Sequence, residues 1–289
     1  MKELELVMLV HDSPISRAYL QILKQNNIKP KKIIVMLPNR TGLFFKLIPS
    51  SIRKKFAGFT NSFFNNFHAR MLLREPIFQE MIKEIEQKYS LGSGFTEEMY
   101  SYNYFDNFSD EIVKLEINGL KDTNLLACLE NCNEKYILFT GGGIVPKSLL
   151  NISNKKFLHI HPGFLPDQRG ADGVLWSMMN VNKIGVSAIF LDEGIDTGDI
   201  IKSVYIESCH FYLSDTKDRP DDQVLYRSIF SFYDPIIRAI LLIKISDLFM
   251  KKDSIETIKQ SKDQGEYFTF MDSCERKKAL KNIFPKKDF

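Results

Sequence analysis

Short apolar runs alternate with amphipathic stretches of helical length along most of the chain. The first unit is an apolar run at Leu4–Val10, a helical stretch at Ile15–Gln25 that Ser13 or Asp12 can cap, and a second run at Ile33–Leu37. Further strand-like runs follow at Ile112–Ile117, Tyr136–Thr140, Phe157–His161, Gly185–Leu191 and Ile200–Ile206. Helices are expected over Asp122–Asn131 and near Gly173–Asn180. This alternation predicts an α/β fold with a mostly parallel, Rossmann-like sheet flanked by helices, and a ligand crevice at the carboxyl ends of the strands.

One segment, residues 40–110, is far too long for a strand-to-helix connection and is predicted to be a helical insertion. Apolar residues recur in it at steps of three and four: Ile52, Phe56, Phe59, Phe63, Phe67 and Met71. Basic and amide residues occupy the other faces: Arg53, Lys54, Lys55, Asn61, Asn65 and Arg70. Such an amphipathic helix favours packing of its Phe stripe on the sheet, with contact of residues 51–73 with a membrane surface or an acidic partner as the alternative.

The C-terminal part continues the helical pattern. Its longest apolar-periodic segment is Val224–Phe249, interrupted at Asp234–Pro235. We therefore predict a catalytic domain over residues 1–209, which includes the insertion, and a helical C-terminal extension over residues 210–289.

Composition agrees with a globular protein, since 44% of the residues are hydrophobic and 26% are charged. The N-terminus has no signal-peptide pattern and the four cysteines form no CxxC pair, so we expect a cytoplasmic protein. The net charge of +3 is unevenly distributed, because twelve Lys and Arg residues and no carboxylate lie between Asp12 and Glu75. This basic lobe suits an anionic substrate or partner, or it is only a solvated face.

Candidate chemistry concentrates in three motifs: LFTGGGIVPK at Leu138–Lys147, HIHPGFLPDQRG at His159–Gly170, and LDEGIDTGDI at Leu191–Ile200. His159 and His161 are two apart at a predicted strand end, so their side chains share one face. The third motif is a glycine-rich turn that carries several carboxylates. An imidazole facing a carboxylate is typical of general acid–base catalysis.

In this order the motifs resemble those of the formyltransferase family, which includes methionyl-tRNA, glycinamide-ribonucleotide and sugar formyltransferases. The resemblance implies that His161 and Asp196 are the catalytic pair and that 10-formyltetrahydrofolate is the formyl donor. It also implies a set of donor-binding residues: Gly143, Ile144, Val145, Gly163, Phe164, Leu165, Pro166, Asp192, Glu193 and Gly194. In such enzymes an amine attacks the formyl carbon, a protonated histidine holds the oxyanion, and the aspartate keeps that histidine charged.

His159 stands where the family has an asparagine that donates to the oxyanion. We expect its imidazole N–H to take over that role, with catalytic importance. Two alternatives stay open: His159 and His161 hold a metal together with Asp192 or Asp196 in a deformylase or deacylase, or the chain binds folate without turnover.

The expected acceptor is a small-molecule amine without nucleic acid, because the C-terminal part predicts helices where the tRNA-formylating branch has a β-barrel. An amino sugar on an anionic nucleotide carrier suits the basic lobe, and another metabolite amine is the alternative. We predict no resident metal, and the sequence does not indicate an oligomeric state.

Overall fold

The structure is a computed structural model that describes residues 1–39, 49–101, 104–212, 219–251, 254–261 and 263–285. Its strands are β1 (Lys2–Val10), β2 (Ile28–Pro38), β3 (Glu111–Ile117), β4 (Tyr136–Phe139), β5 (Lys156–His161), β6 (Gln168–Gly170), β7 (Ile184–Phe190), β8 (Ile200–Ile206) and β9 (Glu266–Phe268). Its helices are α1 (Pro14–Gln25), α2 (Ser50–Asn65), α3 (Phe67–Leu72), α4 (Pro76–Lys88), α5 (Phe95–Met99), α6 (Thr123–Glu130), α7 (Lys147–Leu150), α8 (Gly173–Val181), α9 (Asp222–Ser228), α10 (Asp234–Ile245) and α11 (Ser273–Ile283). Short 3-10 segments lie at Tyr104–Asn107 and Ser246–Phe249, and a π-helical turn at Ile229–Tyr233 joins α9 to α10.

The main sheet has the strand order β3-β2-β1-β4-β5-β7-β8. Pairing is parallel from β3 to β5 and antiparallel from β5 through β7 to β8. The predicted mostly parallel α/β sheet is thus confirmed. The order reverses between β1 and β4, because the chain runs outward from β1 to β3 and then returns to the other side of β1. In an open α/β sheet this reversal opens a crevice at the carboxyl ends of the strands.

The central strands are buried on both faces, so their side chains alternate between two cores. Leu6 and Met8 of β1 belong to the larger core, which also contains residues of α1 and α10. Val7 and Leu9 of the same strand belong to the smaller core, together with residues of α6 and α7. Helix α1 begins as predicted, because Ser13 caps it in a reciprocal capping box with Ser16.

The prediction that the Phe stripe packs on the sheet is wrong. Ile52 is 57% exposed, Phe59 56% and Met71 51%, whereas Ala57 and Ser62 are buried. Helix α2 therefore turns its small and polar residues toward the protein and its aromatic face toward solvent.

A buried polar network explains this orientation. Arg17 is paired with Asp12 at 2.7 Å and also donates to Ser62 Oγ at 2.9 Å. Asn66 Nδ2 donates to the Asp12 carboxylate at 3.1 Å, and Asn65 Nδ2 donates to the Asp12 carbonyl at 2.9 Å. Because buried polar groups need partners, these contacts outweigh the hydrophobic pattern in setting the rotation of the helix.

The C-terminal part is integrated into the larger core. Helix α10 is buried along most of its length and packs on α1, β5 and β7. Pro235 lies in the first turn of α10, where a missing N–H costs nothing. The expected extension is not purely helical, because β9 pairs in parallel with β6, beside the histidine motif. No helix among the described residues is long and apolar enough to cross a membrane.

Candidate active site

His159 and His161 of β5 line one cavity of about 360 Å³ at the carboxyl end of the sheet. The loop after β4 and the turn between β7 and β8 form its other walls. The paired register of β4 with β5 ends at Leu138 and Leu158. Beyond this point the glycine-rich loop leaves room beside β5, and the histidine side chains border that space.

His161 and Asp196 form the closest pair of potential acid–base groups on the cavity wall. His161 Nδ1 lies 3.3 Å from Asp196 Oδ1, with 3% and 13% of the two side chains exposed. On its other side, His161 Nε2 lies 3.0 Å from the carbonyl oxygen of Gln168. A carbonyl oxygen and an ionised carboxylate both only accept, so each ring nitrogen of His161 faces an acceptor, and a neutral imidazole can donate to only one of the two.

Asp196 is held in place by the strand that follows the histidine turn. The Gly170 N–H donates to Asp196 Oδ2 at 2.9 Å, and Asp196 itself has a φ of +55°, in the left-handed region. A strained backbone at a residue aimed into a cavity is typical of functional sites. The second carboxylate oxygen is thereby left for His161.

The charge state of His161 differs from the expected one. Burial lowers the pKa of His161; the Asp196 carboxylate opposes this shift, and the Arg238 guanidinium adds to it. The imidazole of the free protein is therefore neutral near pH 7. The carboxylate alone would raise the pKa of His161, but the loss of hydration on burial outweighs it.

Gly163 allows the close approach that positions His161. A Cβ at Gly163 would lie 2.6 Å from both His161 Nε2 and the Gln168 carbonyl oxygen. At Gly173 a Cβ would lie 1.3 Å from the Pro162 carbonyl oxygen. These two positions require glycine because the turn after β5 is packed directly against the imidazole and helix α8.

The geometry of His159 does not support the predicted oxyanion donor. Its Nδ1 faces the carbonyl oxygen of Phe139 at 3.4 Å, which places the single proton of a neutral imidazole on Nδ1. Burial, assisted by Arg238 and His161, lowers the pKa of His159 to about 4. Near pH 7, Nε2 therefore carries a lone pair instead of an N–H.

Arg238 of α10 is a site residue that the sequence analysis missed. It lines the same cavity, and its Nε contacts both carboxylate oxygens of Asp234 at 3.0 Å. The sequence does contain a signal for this residue, because Arg238 follows Asp234 by four positions in an otherwise apolar helix. Charged residues in such a helix are usually buried only as a pair.

Half of the predicted donor-binding residues lie on the cavity wall: Gly143, Ile144, Val145, Asp192 and Gly194. The turn Gly163–Pro166 is not among the lining residues, because it packs beneath the site. Leu165 is buried against Ile189 and Ile200, and Phe164 stacks on Tyr205. Glu193 points to Lys147, with Oε2 and Nζ 2.5 Å apart.

A second cavity of about 500 Å³ adjoins the first and shares Phe139, Gly141 and Gly142 with it. It lies at the carboxyl ends of β1, β2 and β3, and helix α2 contributes one wall through Asn61. The two cavities meet where the strand order reverses.

The metal hypothesis lacks a ligand set. Within the described ranges, no group of three or more His, Cys, Asp or Glu side chains is arranged to hold a metal ion.

Comparison with known proteins identifies the segment that carries this geometry. Residues 95–225, which include His159, His161 and Asp196, match the family model described as formyl transferase. This segment belongs to the formyltransferase family. A methionyl-tRNA formyltransferase from Thermodesulfovibrio yellowstonii is 37% identical to this chain over 84 residues, which is 28% of the chain and 27% of that protein.

Two further formyltransferases match the chain with different coverage. A methionyl-tRNA formyltransferase from Campylobacter jejuni subsp. doylei is 28% identical over 44% of the chain and 40% of its own length. The chain thus spans between 27% and 40% of these two curated relatives. The solved structure of a sugar N-formyltransferase from a Shewanella species aligns with 100% of this chain and with 90% of its own chain. The two proteins are 13% identical, and the TM-score is 0.47.

Proposed function

We propose that this protein transfers a formyl group from 10-formyltetrahydrofolate to the amine of a small-molecule acceptor. The observation that carries the proposal is the His161–Asp196 pair, 3.3 Å apart on the wall of a cavity within the formyltransferase segment.

The first cavity suits the donor. A volume of about 360 Å³ lies within the usual range of ligand pockets. Ile144 and Val145 offer an apolar wall, and Gly142 and Gly143 leave open space at their Cα atoms. A flat heterocycle can therefore lie against the glycine-rich loop, with Asp192 at the opposite wall. The donor supplies the formyl carbon that the amine attacks.

The His161–Asp196 pair accepts the proton that the amine loses and passes it to the folate. Formation of the new C–N bond makes the amine nitrogen acidic, and a proton must leave it. Asp196 is the more exposed member and receives that proton first, while the neutral Nδ1 of His161 shares it at 3.3 Å. The same proton then passes to N10 of the folate as the old C–N bond breaks.

The second cavity suits the acceptor. Its polar side chains include His11, Asn39, Asn61 and Asn118, and its apolar ones come from β2, β3 and β4. The described part of its lining contains no Lys, Arg, Asp or Glu. Amide groups over an apolar floor match the hydroxyl groups and the apolar face of a sugar ring, so we infer an amino sugar as the acceptor.

A coupled assay tests the proposal. The purified protein is incubated with 10-formyltetrahydrofolate and separate amino sugars, amino acids and peptide amines, and formylated products are detected by mass spectrometry. A product that requires both the folate and an amino sugar is expected. Formate without any formylated amine would indicate a hydrolase, and folate binding without turnover would indicate a binding protein; either result contradicts the transferase.

Site variants connect the activity with the geometry. His161→Ala and Asp196→Ala are each expected to abolish transfer while circular dichroism and the melting temperature show a folded protein. Asp167→Ala is the matched control, because Asp167 is an exposed carboxylate in the same motif and does not line the cavity. Variants of His161 and Asp196 that keep most of the activity would remove the assignment.

A further inference from the structure

Arg238 places a permanent positive charge on the wall of the first cavity. It is the only Lys or Arg among the described residues that line this cavity, and it keeps 8% of its surface exposed. Nε contacts both oxygens of Asp234 at 3.0 Å, and Nη1 donates to the Ile160 carbonyl at 2.8 Å. In the described part of the chain, Nη2 makes no hydrogen bond or ion pair, and this nitrogen is not fully buried. Its two N–H groups are therefore the accessible donors of the side chain.

The proposed reaction needs a donor that neither histidine supplies. Negative charge develops on the formyl oxygen when the amine attacks, and N–H groups aimed at that oxygen lower the barrier. A neutral imidazole has one N–H. That of His161 is directed to either Gln168 or Asp196, and that of His159 to Phe139.

We propose that Arg238 is the oxyanion-binding residue of this site, donating from Nη2 to the formyl oxygen of the donor. The proposal rests on the formyl transfer described above. In the step itself the amine nitrogen bonds to the formyl carbon, the bond from that carbon to N10 breaks, and the proton moves from the amine to N10. Arg238 keeps all of its protons throughout.

The surroundings of Arg238 fit this role. Asp234 holds Nε, and the Ile160 carbonyl, between the two histidines of β5, holds Nη1, so the guanidinium plane is fixed before any ligand arrives. A preorganised donor in a site of low dielectric stabilises developing charge more strongly than a mobile one. Burial lowers the pKa values of His159 and His161, and the positive charge of Arg238 adds to both shifts.

The test replaces the ion pair as a unit, because a buried Asp234 without its partner would destabilise the fold. The Arg238→Met/Asp234→Leu double variant removes both charges and keeps similar volumes, a replacement that buried ion pairs often tolerate. Asp234→Asn is the matched control, because it keeps the guanidinium and an acceptor for Nε. Circular dichroism and melting temperature confirm folding of both proteins.

Two measurements decide the outcome. In formyl transfer, kcat of the double variant is expected to fall by about 10²–10³-fold, the usual cost of losing an oxyanion donor, with Asp234→Asn much less affected. In binding without an acceptor, the affinity for tetrahydrofolate is expected to stay the same. The preference for 10-formyltetrahydrofolate over tetrahydrofolate should fall by about tenfold, as for the loss of one charge-assisted hydrogen bond.

A folded double variant with nearly wild-type kcat and an unchanged preference would overturn the proposal. An equal loss of affinity for both folates would also overturn it, because Arg238 would then only shape the cavity. The measurement of folate binding needs no acceptor. It therefore tests the role of Arg238 even if no amine is formylated and the proposed function itself fails.

Discussion

Acidification is expected to destabilise this protein through His159, and the His159→Asn variant should remove that effect. In the folded protein the pKa of His159 is lowered to about 4 by burial and by the nearby charges. In the unfolded chain it returns to the ordinary value of about 6.5. As the pH falls, the unfolded chain takes up the proton first, so the stability present at neutral pH is lost between pH 6.5 and about 4.

The lowered pKa of His159 sets the size of the loss in unfolding free energy. A difference of one pKa unit corresponds to about 1.4 kcal/mol, so lowering the pH from 7 to 4.5 should remove about 2–3 kcal/mol of unfolding free energy through His159 alone. His161 and His11 also have lowered pKa values and contribute in the same direction. Comparison of wild type with His159→Asn cancels the contribution of His11, because both proteins retain it. His161 helps to lower the pKa of His159, so the difference between the proteins reports these two neighbouring histidines together.

Urea unfolding at pH 7 and pH 4.5 measures the difference. Wild type should lose about 2–3 kcal/mol more than His159→Asn over this interval. Equal losses in the two proteins, within the error of extrapolation, would refute the reasoning. His159 would then be hydrated or already paired with an acid in the folded state.

Four further changes test other parts of the structure. His159→Ala should lower kcat by less than about tenfold, since the neutral ring directs no N–H into the cavity; a loss of 10²–10³-fold in a kinetic assay would show that it does donate. Gly163→Ala should abolish transfer by displacing the catalytic imidazole, and transfer rates near wild type in a folded variant would contradict the close contact. Asp12→Ala should cost about 3–5 kcal/mol in urea unfolding, because Arg17 stays buried without its carboxylate. Reversal of Arg53–Lys55 to Glu should lower cosedimentation with phosphatidylglycerol vesicles, and a wild type that does not cosediment would reject the membrane contact.

The fold was largely predictable because its strands are short, strongly apolar and separated by helices with clear caps. Strands such as β5 and β7 were located to within one residue, since burial on both faces produces continuous apolar runs. The two partners of the acid–base pair were predictable from the motifs. Their distance was not, because Asp196 reaches His161 only through the pairing of β5 with β7 and a left-handed backbone.

Other features of the site depended on residues far apart in the chain. Arg238 is 77 positions after His161 and reaches the cavity because α10 packs across β5. The charge states of the histidines depend on desolvation, which has no local sequence pattern. The rotation of α2 was decided by the buried network around Asp12, against the periodicity of its aromatic residues.

By itself, then, the sequence determined the α/β architecture, the chemistry-bearing turns and their likeness to the formyltransferases, because these follow from local periodicity and short motifs. The tertiary structure decided which side chains meet, which face of α2 is exposed, and which groups the ring nitrogens of each histidine face. Those properties arise from burial and from partners contributed by distant elements, and no stretch of sequence contains them.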